Sequence, residues 1–288
     1  MYASAVLRCN FPNDPMKQFF RNLKRAIHNA SAPKNASISH VQSERQRLAA
    51  LPRYVETASD LPGFFFIFPD AASFLASWDE IFGKEIYNFN PVNDAPRILD
   101  CGANVGVSCL YFRKHFPNAR ITAFEPDPKI FAYLQTNLTN AGYIDVKLIP
   151  KGVWSSATTL RFQSEGSDGG RICNGEATNI INIPTVRLRD YLNESVDLLK
   201  IDIEGAETEV ILDIAPVLKN VRNIFVEYHS FEKQPQTIGK LVQTLIDAGF
   251  RIHFHPMNVM PRPFIKVDSY MGMDMQLNIF GYRTDSKV

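Results

Sequence analysis

From residue 97 onward, short apolar runs alternate with stretches whose apolar positions recur at helical spacing. "RILDCG" (97–102), "ARITAFEP" (119–126) and "DVKLIPKGVW" (145–154) read as strands, separated by helices over 107–116 and 128–141. A polar, glycine-bearing loop follows, "SEGSDGGRICNGEATN" (164–179). Then come "VDLLKIDIEG" (196–205), a helix over 206–219, "VRNIFVEYH" (221–229), a helix over 237–248, "FRIHFHP" (250–256) and "LNIFGYR" (277–283). Seven strands with helical crossovers predict a doubly wound, mostly parallel α/β sheet covered on both faces. The last two strands have no helix between them, so the sheet is expected to finish in an antiparallel hairpin.

The chain before residue 97 is patterned differently. "PMKQFFRNLKRAIHNA" (15–30) sets Phe19, Phe20, Leu23, Ala26 and Ile27 along one side of a basic helix. Docking on its own domain or on a second copy is the expected use, since anchoring to a membrane surface needs further signals. "SAPKNASISHVQSERQ" (31–46) has no aromatic residue and reads as a linker or loop. The aromatic-dense stretch 61–89 reads as a packed element that leads into the main domain and covers its ligand site. A division follows, with residues 1–77 as a helical N-terminal extension, linker and lid, and residues 78–288 as the main domain.

The turn "DCGANVG" ends the first strand of the repeating pattern. A dinucleotide fingerprint needs glycines at positions 1, 3 and 6. No register supplies them here: the pattern is D-x-G-x-x-x-G from Asp100 to Gly106. This looser turn suits a cofactor without a pyrophosphate, such as S-adenosylmethionine, with Gly102, Ala103 and Asn104 lying against its amino acid part. Glu125 and Pro126 follow at the end of the second strand, where an acidic side chain accepts hydrogen bonds from both ribose hydroxyls. The competing role for Glu125 is to cap the helix that begins near Asp127. Val153 and Trp154, just past the third strand, are candidates to flank an adenine, and Tyr87 to close over the methionine part. Each has packing as its alternative.

"LLKIDIEGAE" (198–207) is the most informative stretch. Charged residues within a parallel strand buried on both faces are costly unless paired or functional. Alternation puts Lys200, Asp202 and Glu204 on one side, and Glu227 and His229 share a side of the neighbouring "FVEYHS". These groups converge at the strands' carboxyl ends, where doubly wound sheets bind ligands. For Lys200 an internal ion pair, with Glu227 as its partner, is expected. His253 and His255 share a side of the later strand but lack a third zinc ligand in sequence.

Composition narrows the classes. A 288-residue chain that is 45% hydrophobic can bury one large α/β core, and a net charge of +1 gives no general attraction to nucleic acid or anionic membrane. Four cysteines, Cys9, Cys101, Cys109 and Cys173, lack C-x-x-C spacing, which suits a reducing, cytoplasmic setting. No apolar run approaches the roughly 20 residues of a membrane span, and no signal peptide is visible at the start.

Taken together, "WDEIFGKEIYNF", "ILDCGANVG", "FPNARITAFEPDPKIFAYLQTNL", "LLKIDIEGAETEVI" and "IFVEYHS" resemble the FkbM family of S-adenosylmethionine-dependent methyltransferases. The resemblance covers most of residues 78–231. It implies a class I, Rossmann-like methyltransferase fold and O-methylation of a hydroxyl on a sugar, glycan or polyketide-like natural product. An alcohol acceptor must lose a proton, which calls for a general base or a metal that acidifies the hydroxyl. Glu204 and His229 are the candidates for base and orientation, beside Glu227, and Asp202 for binding the methionyl amine. A metal-free site is preferred, and a divalent ion on Asp202, Glu204 or Glu227 is the competing arrangement. "DIEG" stands where enzymes acting on base amines carry an Asn/Asp-Pro-Pro-aromatic motif, and no Pro-Cys dipeptide occurs, so nucleic acid is not expected as a partner. The rival from another class is a non-catalytic binding module or partner subunit that keeps the fold.

Overall fold

A computed structural model of the chain describes residues 38–284 apart from 168, 173–177, 258, 267, 268, 270 and 271. The helix expected over 15–30, residues 31–37, Cys9 and Cys173 lie outside the described residues. The first element corrects the reading of 31–46 as a loop, because Ile38–Ala49 is a helix, α1. Its stability comes from its surroundings: Leu48 is buried, Arg47 binds Glu44 one turn earlier and the Ala58 carbonyl, and Arg45 reaches Asp79.

The aromatic stretch forms a hairpin of β1 (Thr57–Ser59) and β2 (Phe66–Phe68), then helix α2 (Ala71–Trp78), capped by Asp70, which runs into a π turn over Asp79–Gly83. Phe68 stacks on Phe74 at 4.1 Å and Trp78 on Phe82 at 4.1 Å. This aromatic row shares one buried core with Ile98, Phe112, Leu134 and Leu198.

The main elements then follow in order: β3 (Arg97–Cys101), α3 (Val107–His115), β4 (Arg120–Phe124), α4 (Pro128–Asn140), β5 (Lys147–Ile149), β6 (Gly152–Trp154), β7 (Thr159–Gln163), β8 (Arg171–Ile172) and β9 (Ile180–Arg187). The chain continues with β10 (Val196–Ile201), α5 (Glu207–Ile214), β11 (Val221–Phe231), α6 (Ile238–Asp247), β12 (Arg251–Pro256) and β13 (Met273–Tyr282). Seven strands form the central sheet in the order β12-β13-β11-β10-β3-β4-β5. Pairs from β11 to β5 are parallel, and β13 runs antiparallel to both β11 and β12. The expected antiparallel ending is therefore present, with β13 inserted between β11 and β12. This is the doubly wound, Rossmann-like fold of class I methyltransferases.

Three local readings change. "DVKLIPKGVW" is two strands in two different sheets, divided at Pro150, which has no N–H for the ladder. The loop 164–179 is set within a second, four-stranded sheet, β6-β9-β7-β8, whose strands 159–163 and 180–187 the apolar pattern did not single out. The helix over 206–219 tightens to a 3-10 turn from Ala215, where Pro216 interrupts α-helical bonding.

At the carboxyl ends of β3 and β10 the two backbones nearly touch. A Cβ on Gly102 would stand 1.8 Å from the Asp202 carbonyl oxygen, and Gly102 has φ +84°. Only glycine allows this approach. Gly106, at φ +98°, starts α3 with Leu134 packed against it.

Candidate active site

The ends of β3, β4, β10 and β11 open into a cleft of about 520 Å³, the size of a small-molecule site. On one side Glu125 ends β4 with its carboxylate pinned by two backbone donors: Asn104 N–H to Oε2 at 3.0 Å and Asp127 N–H to Oε1 at 2.9 Å. Asn104 takes a left-handed backbone, φ +48°, which turns its N–H inward. Burial pushes the Glu125 carboxyl up to about 7, against the pull of those two donors. The cap of α4 is Asp127, which accepts from the N–H groups of Lys129 and Ile130, so Glu125 is not used as one.

Gly102, Ala103, Asn104, Glu125, Pro126, Val153, Tyr87, Asp202, Glu204 and Glu227 all line the cleft. Asp100, Gly106, Trp154 and His229 are not among the residues that line it. Asp100 is fully buried, accepts from Ser108 Oγ at 2.5 Å and lies 3.3 Å from Lys200 Nζ. Lys200 also pairs with Asp202 at 3.3 Å and donates to the Gly102 carbonyl at 2.6 Å. The expected partner Glu227 is thus replaced by two aspartates, because the ammonium turns toward the β3 side of its strand. It fastens the glycine loop to β10.

On the opposite side lies a cluster of carboxylates around His229. Glu204 has φ +55° and Gly205 φ +99°, and this left-handed pair makes the turn between β10 and α5, where Glu204 lines the cleft. Glu207 is 1% exposed. It accepts from the N–H groups of Ile203 (3.3 Å) and Gly205 (2.9 Å) and lies 3.1 Å from His229 Nδ1. His229 Nε2 faces Glu227 at 3.5 Å and Glu204 at 3.7 Å.

Burial by itself would strip the proton from His229, but Glu204 and Glu207 outweigh it and hold the imidazole well above its ordinary range. Burial raises Asp202 to about 7, with Glu227 adding repulsion and Lys200 opposing it. Glu204 is also pushed well up, by burial and then by Asp202 and Glu227, while His229 opposes. Burial raises Glu227 too, but hydrogen bonding and charge from His229 leave it below its usual value. The cluster therefore favours the cationic form of His229 and the anionic form of Glu227, while Asp202 and Glu204 hold a proton more readily than free carboxyls.

Asp202, Glu227 and His229 each offer one ligand atom, all within 4.8 Å of one another, so a cation can be accommodated once His229 gives up its proton. His253 and His255 sit with their rings 4.9 Å apart on the edge strand, outside the cleft lining.

Sequence reasoning missed Glu207, Glu80, Gln276 and Asn278. Glu207 had a readable signal, an acid in the first turn of the helix that follows "DIEG". Glu80 and the β13 amides meet only through the tertiary fold. Among the described residues no helix is long and apolar enough to cross a membrane.

Residues 100–252, more than half of the chain, match the family described as the methyltransferase FkbM domain. Methyltransferase sdnD of Sordaria araneosa is 30% identical over 215 residues, which cover 61% of this chain and 81% of that protein. The 2-O-methyltransferase NoeI of Sinorhizobium fredii is 29% identical over 160 residues, covering 48% of this chain and 65% of NoeI. Among solved structures, methyltransferase FkbM from Methylobacillus flagellatus aligns with a TM-score of 0.48 at 14% identity, covering 94% of this chain and 72% of that one. The chain belongs to the methyltransferase FkbM domain family.

Proposed function

We propose that the chain is an S-adenosylmethionine-dependent O-methyltransferase acting on a hydroxyl of a sugar, glycan or natural-product small molecule. The observation that carries this reading is the pairing, across one cleft, of the pinned Glu125 carboxylate with the protonatable cluster of Asp202, Glu204 and Glu227. Glu125 has both oxygens fixed by N–H groups and a lone pair left on each, which fits a ribose diol. Gly102, Ala103 and Asn104 form the floor for the methionine part, Asp202 receives its ammonium, Tyr87 covers it, and Pro126 and Val153 flank the adenine. Asp100, Gly106 and Trp154 support these residues from behind. When bound, the cofactor supplies a methyl group activated on a sulfonium.

The chain's own contribution to the reaction is alignment, exclusion of water and removal of the acceptor proton. Glu204 is the base: it lines the cleft, and burial raises its affinity for protons above that of an ordinary carboxylate. We assign this role to Glu204 rather than to His229, which is enclosed and held toward its cationic form. His229 instead orients Glu204 and Glu227. The metal-free arrangement is the one we favour over a cation on Asp202 and Glu227, because Asp202 already pairs with Lys200.

In the same reading residues 78–288 are the catalytic domain and residues 1–77 its extension and cover, and the basic amphipathic sequence pattern of 15–30 suits docking to a second copy. A cytoplasmic setting belongs to the same reading, supported by cysteines without C-x-x-C spacing. Calorimetry with S-adenosylhomocysteine tests the reading: well-folded protein that fails to bind it, or binds it equally after Glu125→Ala, removes the cofactor assignment. Methyl transfer to a member of an acceptor panel removes the rival of a non-catalytic module.

A further inference from the structure

Two carboxylates on the acceptor side of the cleft are held by amides of a single strand. Gln276 Nε2 donates to Glu227 Oε1, and two residues later Asn278 Nδ2 donates to Glu80 Oε1 at 3.0 Å. Both carboxylates line the cleft. Glu227 and Asn278 are direct partners in the β11–β13 register, so Glu80, arriving from above on the π turn, is seated beside Glu227. Among the described residues neither carboxylate's second oxygen has a hydrogen-bond partner.

Two further observations separate this from an incidental surface acid. Asn278 is fully buried, and its Oδ1 has no hydrogen-bond partner, while its Nδ2 is directed at Glu80 and Met257 Sδ. Leaving a buried acceptor unsatisfied is unfavourable, and the reverse amide orientation would set Oδ1 against the Glu80 carboxylate. The fold accepts the orphan and thereby fixes Glu80. Secondly, Glu80 occupies a π turn, where Lys84 N–H bonds to the Asp79 carbonyl; such turns interrupt α-helices at functional positions more often than elsewhere. Burial and the neighbouring Glu227 raise the Glu80 pKa while Lys84 and the Asn278 amide oppose them; with one oxygen held by the amide, the other stays open as an acceptor. That chemistry recognises a hydroxyl donor.

We propose that Glu80 is a specificity-determining residue for the acceptor, its carboxylate accepting a hydrogen bond from a hydroxyl adjacent to the one that is methylated. The acceptor is then a vicinal diol, with the methylated hydroxyl at Glu204, beside Glu227, and its neighbour at Glu80. This inference rests on the methyltransferase reading and refines the substrate class of the same cleft.

The test uses the full chain with labelled S-adenosylmethionine and three probes: methyl glycosides of common hexoses, their monodeoxy counterparts, and cyclohexanol. S-adenosylhomocysteine calorimetry is run on every variant. The expected result is methylation of at least one intact glycoside. Glu80→Gln then raises its KM about tenfold, the loss of one charge-assisted hydrogen bond, while cofactor affinity stays at the wild-type value. The monodeoxy counterpart lacking the neighbouring hydroxyl has one KM in both proteins. Glu80→Asp, which keeps the charge and shortens the reach, recovers part of the loss and substitutes for Glu80→Gln should that variant not fold. An unchanged KM for the intact glycoside, an equal penalty on the monodeoxy probe, or turnover of cyclohexanol alone or of no probe by protein that binds the cofactor product overturns the assignment of Glu80. Failure of wild-type protein to bind S-adenosylhomocysteine overturns the underlying methyltransferase reading instead.

Discussion

Glu207 lies 3.1 Å from His229 Nδ1, and both side chains are almost wholly enclosed. This contact orients the ring so that Nε2 faces the two carboxylates at the cleft wall. It also makes His229 a proton holder, since a buried imidazole among acids is most stable as a cation.

The first prediction concerns the base. Glu204→Gln is expected to lower kcat by about two to four orders of magnitude with little change in S-adenosylhomocysteine affinity. A base acts only when deprotonated, and Glu204 is held well above the carboxylate range, so activity should rise with pH through a pKa higher than an ordinary Glu. A pH–rate profile that is flat above pH 5 would count against Glu204.

Glu125 yields a second prediction, on stability. Its folded pKa of about 7 exceeds the ordinary 4.5. The stabilisation it gives is fully present below 4.5 and is lost as pH rises through about 7. Glu125→Gln has no such proton to lose. Thermal melts of ligand-free protein from pH 5 to 8 should therefore show a decline in wild type that is smaller in the variant, and parallel curves would refute the assignment.

Metal dependence separates the two arrangements of the cluster. The favoured, metal-free site predicts full activity in chelator. Loss of activity in chelator, restored by Mg²⁺ or Mn²⁺, would instead assign a cation to Asp202, Glu227 and His229.

A fourth prediction is structural. Gly102→Ala drives a Cβ into the Asp202 carbonyl from a left-handed backbone and should cost at least about 3 kcal/mol of stability. Gly83→Ala, with nothing within 4 Å of the added methyl, is the control and should change stability little in chemical denaturation.

The central sheet was legible because buried parallel strands announce themselves: "RILDC", "RITAF" and "VDLLKI" are almost continuously apolar between helical stretches. The second sheet was not. β9, "IINIPTVR", mixes buried and open positions and carries a proline, so its apolar pattern is weak. The place of β13 between β11 and β12 is a matter of long-range pairing that no local pattern encodes. At the site, strand alternation brought Asp202, Glu204, Glu227 and His229 to one region. It could not reveal that Lys200 turns toward Asp100, or that Asn278 reaches Glu80, 198 residues away in sequence.

Asn137, fully buried on α4, donates to the carbonyls of both Ile67 and Val105 and accepts from Ile67 N–H. One amide thus spans the aromatic hairpin and the glycine loop, and neither can open without exposing it. The two are expected to open as one cooperative unit in native-state hydrogen exchange, so that a molecule bound at the loop slows exchange of the Ile67 amide. The aromatic hairpin would thereby report occupancy of the cleft from a distance.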